Sequence, residues 1–79
     1  MSERLGIAAL ERAKTILGSQ QALADVVGVK QPSVHYMLRE GKKVPAEWCQ
    51  PIEEATREKG DPVYRHELRP DLYPVEAAA

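Results

Sequence analysis

The sequence has only one cysteine, Cys49, in 79 residues. A lone cysteine excludes an internal disulfide and fits a reducing cytoplasm. Apolar runs are only a few residues long, so no segment is expected to span a membrane. No basic stretch followed by an apolar one opens the chain, so no signal peptide is expected. Internal repeats are absent, and low complexity is confined to the short tail Ala77–Ala79. No glycine-rich loop follows a strand-like run, which removes phosphate-cradle chemistry. His35, Cys49 and His66 lack metal-ligand spacing. Cys49 with a distant histidine could suggest a nucleophile, but it falls beside Trp48 on a helix face expected to be buried, which fits a structural thiol. Glu53, Glu54 and Glu58 read as a solvated face rather than a catalytic pair. A chain this short forms one small domain and buries only about 60% of its unfolded surface, which argues against a deep catalytic cleft. Neither an enzyme nor a cofactor is expected.

Charge is present but divided. The formal net charge is −1. Residues 1–44 carry seven Lys/Arg and four Asp/Glu, for +3, while residues 45–79 carry four and eight, for −4. The first half can face phosphate while the second faces solvent or a partner. Evenly solvated surfaces would produce the same division.

Helical periodicity dominates the chain. Ser2 is a candidate cap for a first helix, with Glu3 in its first turn. Leu10, Ala13 and Leu17, with Ala9 and Ile16 beside them, form an apolar stripe that ends at Gly18. Ser19 can cap a second helix whose stripe is Leu23, Ala24 and Val27, ending at Gly28. Val34, Met37 and Leu38 mark a third, ending at Gly41. Pro45 should open a fourth, with Trp48, Ile52 and Ala55 buried. Pro51 lies inside it and predicts a kink, or two short helices. Gly60, Asp61 and Pro62 mark a turn. The proline-rich remainder should be extended, with one helical turn near residues 66–69. No strand-like alternation competes. The expected fold is all-α, a bundle of four to five helices with an extended C-terminal tail.

The stretch "LADVVGVKQPSVHYML" is the most specific feature. Gly28 can adopt positive φ and reverse the chain tightly between two helices. Pro32 then falls in the first turn of the next helix, where a missing N–H loses nothing. Small Ala24 lies four residues before Gly28 and branched Val34 six after it, which suits a close helix crossing. Together they predict a helix-turn-helix. A plain helical hairpin without a DNA role shares this spacing.

The segment "SQQALADVVGVKQPSVHYMLREGKKVPAEW" resembles the helix-turn-helix of phage Cro and CI-type repressors. Downstream, "VPAEWCQPIEEAT" and "YRHELRPDLYP" resemble the small Cro-like regulators of the YdaS antitoxin family, which close on a similar Arg-Pro-Asp-Leu/Ile-Tyr-Pro ending. The resemblance covers residues 6–74. It implies a lambda-repressor-like fold and a cytoplasmic transcriptional regulator of a prophage or toxin–antitoxin operon. Three positions depart from the family. Lys30 replaces a capping Ser or Thr, Pro32 replaces a polar base reader, and Pro51 interrupts a helix that is usually unbroken. The first two bear on the target sequence rather than on the fold.

Residues 31–39, placed on a helix at 100° per residue, put Val34, Met37 and Leu38 on one side. Pro32, His35, Tyr36 and Arg39 lie opposite, flanked by Gln31 and Ser33. In a repressor docking this outer face enters the major groove, N-terminal residues first. Gln31 can pair with adenine N6 and N7, and the matching glutamine of related repressors reads a base. Ser33, His35 and Tyr36 complete the candidate base-reading set. Gln20 matches a backbone-holding position in related repressors, and Lys30, Arg39, Lys42 and Lys43 are the candidate phosphate contacts. An ordinary exposed polar face and a solvated loop are the alternatives.

Residues 1–62 are expected to form the DNA-binding domain, with its motif at 20–39, and residues 63–79 a tail that can serve dimerisation. One recognition helix contacts few base pairs, so a homodimer or larger oligomer on an inverted-repeat operator in double-stranded DNA is expected. Its surface should lie in residues 45–74, with Leu68, Leu72 and Tyr73 contributing, unless the tail wraps its own domain. The competing function is a module that binds a protein partner such as a toxin.

Overall fold

The structure is a computed structural model, which describes residues 5–74. Five α-helices follow in order: α1 (Ile7–Leu17), α2 (Gln20–Val27), α3 (Gln31–Glu40), α4 (Ala46–Glu58) and α5 (Arg65–Leu68). No strand forms among the described residues; one isolated parallel bridge joins Leu5 to Lys43. Ser2, the expected first cap, lies outside the described residues. The cap of α1 is instead Gly6, with φ 79. A Cβ there would fall 1.9 Å from the Leu68 carbonyl oxygen, so only glycine lets α5 approach the start of α1 this closely.

Local signals set the first three helices. α1 ends at Gly18, and the Ser19 side chain then accepts from the Ala22 N–H at 3.0 Å to cap α2. Gly28, at φ 80, ends α2. Pro32 lies in the first turn of α3, as its position predicts. α2 and α3 form the most extensive helix pair. Ala24 and Val34 are both fully buried in the core with Leu10, Leu23 and Ile52. Leu17, Val27 and Met37 are only partly buried at its edge, as is Ala55. Cys49 is buried, as expected; burial pushes its thiol up, against the lowering charges of Arg69 and Arg65.

Two expectations for the second half need correction. α4 runs through Pro51 as one helix of 13 residues rather than two short ones. Trp48 and Cys49 before the proline, and Ile52, Glu53 and Thr56 after it, are all buried, so packing on both sides holds the helix together. The second correction concerns Glu53, which is buried rather than part of a solvated face. Its Oε1 accepts from the Arg65 backbone N–H and from Arg65 Nε, each at 3.0 Å, and its Oε2 from Arg57 at 2.6 Å. Glu67 makes a matching clamp, accepting from Arg12 of α1 at 2.8 and 3.2 Å and from the Tyr64 N–H at 3.0 Å. The Thr56 hydroxyl donates to the Ile52 carbonyl at 2.7 Å and accepts from the Val63 N–H at 2.8 Å. These polar groups fold residues 63–68 onto α4 and α1. Val63 and Leu68 are therefore fully buried, and Leu68 belongs to the core rather than to a partner surface.

Two predictions follow from these contacts. Lys30 is the N-cap of α3 and makes no side-chain cap bond. Lys30→Thr supplies an acceptor and should raise unfolding free energy by about 1 kcal/mol in urea titration; an unchanged midpoint would put the helix start elsewhere. The second concerns acid. Burial pushes the Glu53 carboxyl up, but the hydrogen bonds from Arg65 and the charges of Arg65 and Arg57 outweigh it, leaving the group below the ordinary 4.5. The hydrogen bond from Arg12 lowers Glu67 as well. A carboxylate lowered by folding adds stability above its unfolded value and loses it as pH falls through its folded value. Urea midpoints should therefore drop as pH falls from about 5 toward about 3. Glu53→Gln should start lower at neutral pH and drop less across that window.

Candidate nucleic-acid interface

α3 buries Val34 and Leu38 and leaves Pro32, Ser33, His35, Tyr36, Arg39 and Glu40 exposed. The face expected to meet a base edge is therefore on the surface, and on it the Tyr36 side chain is 61% exposed. Gln31 is half-buried, and its Nε2 donates to Oε1 of Gln20, the first residue of α2. Two residues assigned separate contacts in the sequence are thus joined across the turn, where the first turns of both helices meet. Lys30 stands exposed at one end of α3 and Arg39 at the other, about 14 Å apart along the axis. Lys42 and Lys43 are exposed in the loop beyond, with the acidic Glu40 just before them.

That loop is braced from two sides. The Leu5 N–H donates to the Lys42 carbonyl at 2.6 Å. Arg69 donates to the Val44 carbonyl at 3.0 Å while its guanidinium holds Asp71 at 2.9 and 2.8 Å. The hydrogen bond from Arg69 pulls the Asp71 carboxyl down to about 2. The Arg-Pro-Asp segment thus acts as a strut under the basic loop. Its partner, the Val44 carbonyl, is 25 residues away, so sequence reasoning found the motif without its purpose.

A concave site away from α3 was not anticipated. A cleft of about 400 Å³ lies at α5 and the tail, lined by Glu53, Arg57, Tyr64, His66, Leu72 and Tyr73, among others. Leu72 and Tyr64 on its rim are 47% and 41% exposed. Tyr73 is half-buried beneath the Arg65 guanidinium, 5.5 Å from its ring centre. The Tyr64 and His66 rings stack at 5.5 Å, and His66 Nδ1 is buried without a hydrogen-bond partner. No cluster of three metal-ligating side chains occurs among the described residues, and no described helix is long and apolar enough to cross a membrane.

Three similarities place this architecture. A family described as "Bacterial toxin YdaS" matches residues 10–76. Its description says toxin, where the sequence resemblance was to antitoxins. The YdaS protein of Escherichia coli (strain K12), which carries the name of a transcriptional regulator, is 40% identical over 62 residues. That match covers 78% of this chain but only 60% of the relative, so the chain spans less than two thirds of that protein's length. Among solved structures, the Cro protein from a prophage element, Xfaso 1, of Xylella fastidiosa strain Ann-1 superposes with a TM-score of 0.69 at 40% identity, covering 82% of this chain and 94% of that one. With its motif, its tail and its fold in agreement, the chain belongs to the YdaS family of Cro-like helix-turn-helix proteins.

Proposed function

We propose that this chain is a sequence-specific DNA-binding transcriptional regulator, a Cro-like repressor of a prophage or toxin–antitoxin operon. The observation that carries this is the α2–Gly28–α3 unit, whose outer α3 face is polar, exposed and opened by Gln31. The names of the Escherichia coli and Xylella relatives support it. In this reading α3 enters the major groove, and Gln31, Ser33, His35 and Tyr36 read base edges. Gln31 spends one N–H on Gln20, and keeps a second N–H and its Oε1 for adenine N7 and N6. Gln20, Lys30, Arg39, Lys42 and Lys43 hold phosphates on either side.

A two-fold dimer on an inverted repeat supplies the base pairs that one α3 cannot reach. The 20–39 motif then works within the unit of residues 1–62. Tyr64 and Leu72 of the 63–79 segment offer the assembly surface, without Leu68. The cleft beside them favours a second reading, in which a protein partner such as a toxin is bound there.

Fluorescence anisotropy with duplexes from the gene's own upstream region tests the first reading. Gln31→Ala should cost about 1–3 kcal/mol against the operator and relax preference at one base pair. Arg39→Ala should weaken all duplexes alike and reduce the salt slope by about one unit. Equal binding by Gln31→Ala and wild type would move the reading face elsewhere. Sedimentation with a palindromic duplex should find two protomers per duplex, and a strict one-to-one complex would remove the dimer.

A further inference from the structure

The chain has four aromatic side chains, one tryptophan and three tyrosines. Three are engaged within the molecule. Trp48 is buried in the core, Tyr64 stacks on His66, and Tyr73 lies under the Arg65 guanidinium. Tyr36 has no such ring contact among the described residues and is the most exposed of the large hydrophobic side chains, at 61%. It stands on the outer face of α3, one helical turn from Ser33 on one side and from Arg39 on the other. Those neighbours are hydrogen-bonding groups suited to base edges and phosphates. The ring between them is chiefly apolar.

The edges of bases in the major groove are polar with one exception, the methyl group on C5 of a pyrimidine. A ring carried into the groove between two polar contacts has that group to bury against. From this placement we infer that Tyr36 is a specificity-determining residue that reads a pyrimidine 5-methyl group, on thymine or on 5-methylcytosine, by apolar contact. The inference rests on the DNA-binding function proposed above and adds to it the chemical group recognised. It also assigns the contact to the ring face and edge rather than to the hydroxyl. Burying one methyl against a ring contributes about fourfold in affinity.

Selection of duplexes from a random library by the full-length chain supplies the probe. In the selected duplex each thymine is then replaced singly by deoxyuridine, and, separately, each cytosine by 5-methylcytosine. Affinities are compared for wild type, Tyr36→Ala and Tyr36→Phe. If thymine is the source, a single deoxyuridine at one thymine of a half-site should weaken wild-type binding about fourfold. If methylated cytosine is the source, deoxyuridine should be silent and one added methyl should strengthen wild-type binding by the same factor. In either case the ratio should fall to one in Tyr36→Ala and survive in Tyr36→Phe. Each ratio is taken within a single variant, so a small change in stability cannot imitate it. The inference is overturned if neither methyl alters wild-type binding, if Tyr36→Ala keeps the full sensitivity, or if Tyr36→Phe loses it. Should selection enrich no duplex for wild type, the DNA-binding function itself fails, and this assignment with it.

Discussion

The contact between α2 and α3 across Gly28 sets the geometry on which the candidate interface depends. The Ala24 carbonyl accepts from the N–H groups of both Gly28 and Val29, at 2.8 and 3.0 Å, closing α2 and starting the turn in one step. A larger side chain than Ala24 would hold the helices apart where they cross. α3 has only ten residues, too few for a stable isolated helix. Its order comes from burying Val34 and Leu38, and that burial fixes which residues remain outside. The exposed face of α3 is thus a consequence of how its other face is packed.

The C-terminal third is held by polar groups as well as by the buried Val63 and Leu68. Glu53 and Glu67 each accept from a backbone N–H at the start of α5 and from arginines on other elements. A four-residue helix cannot hold itself, and these two carboxylates satisfy donors at its start. Once α5 is placed, Leu68 seals the core against Gly6, and Arg69 reaches back to the loop behind α3. The tail therefore supports the basic loop from behind, although it lies far from it in sequence.

What was legible in the sequence follows the range of each interaction. Ser19, Gly18, Gly28 and Pro32 act within three or four residues of themselves, and each marks its element where expected. The apolar stripes of α1, α2 and α3 are also local, and they identify Leu10, Ala13, Leu23, Ala24, Val34 and Leu38 of the core while missing Ile7, Val44 and Val63. Glu53 looked like a surface residue because Arg65 is twelve positions away, and periodicity carries no trace of that bond. Gln20 and Gln31 are eleven apart on different helices, so each looked separate. The two short helices expected at Pro51 do not form, for the opposite reason. The proline's local penalty is plain in the sequence, while the burial on both sides that offsets it is tertiary. The cleft beside α5 left no signal, since its walls come from α4, α5 and the tail.

The charge division between the halves takes on a different meaning in three dimensions. The C-terminal half looks acidic, yet Glu53, Glu67 and Asp71 are engaged with Arg57, Arg65, Arg12 and Arg69. Those pairs take up three carboxylates and three of that half's four cations, together with Arg12, so the half keeps its acidic excess. Lys30, Arg39, Lys42 and Lys43 are exposed around α3. Screening limits exposed charges to about 8 Å at physiological salt, so the potential beside α3 follows these nearby side chains rather than the chain's total of −1. A protein of near-neutral total charge can therefore carry a basic surface around α3 because its charges of opposite sign are divided in space rather than evenly mixed.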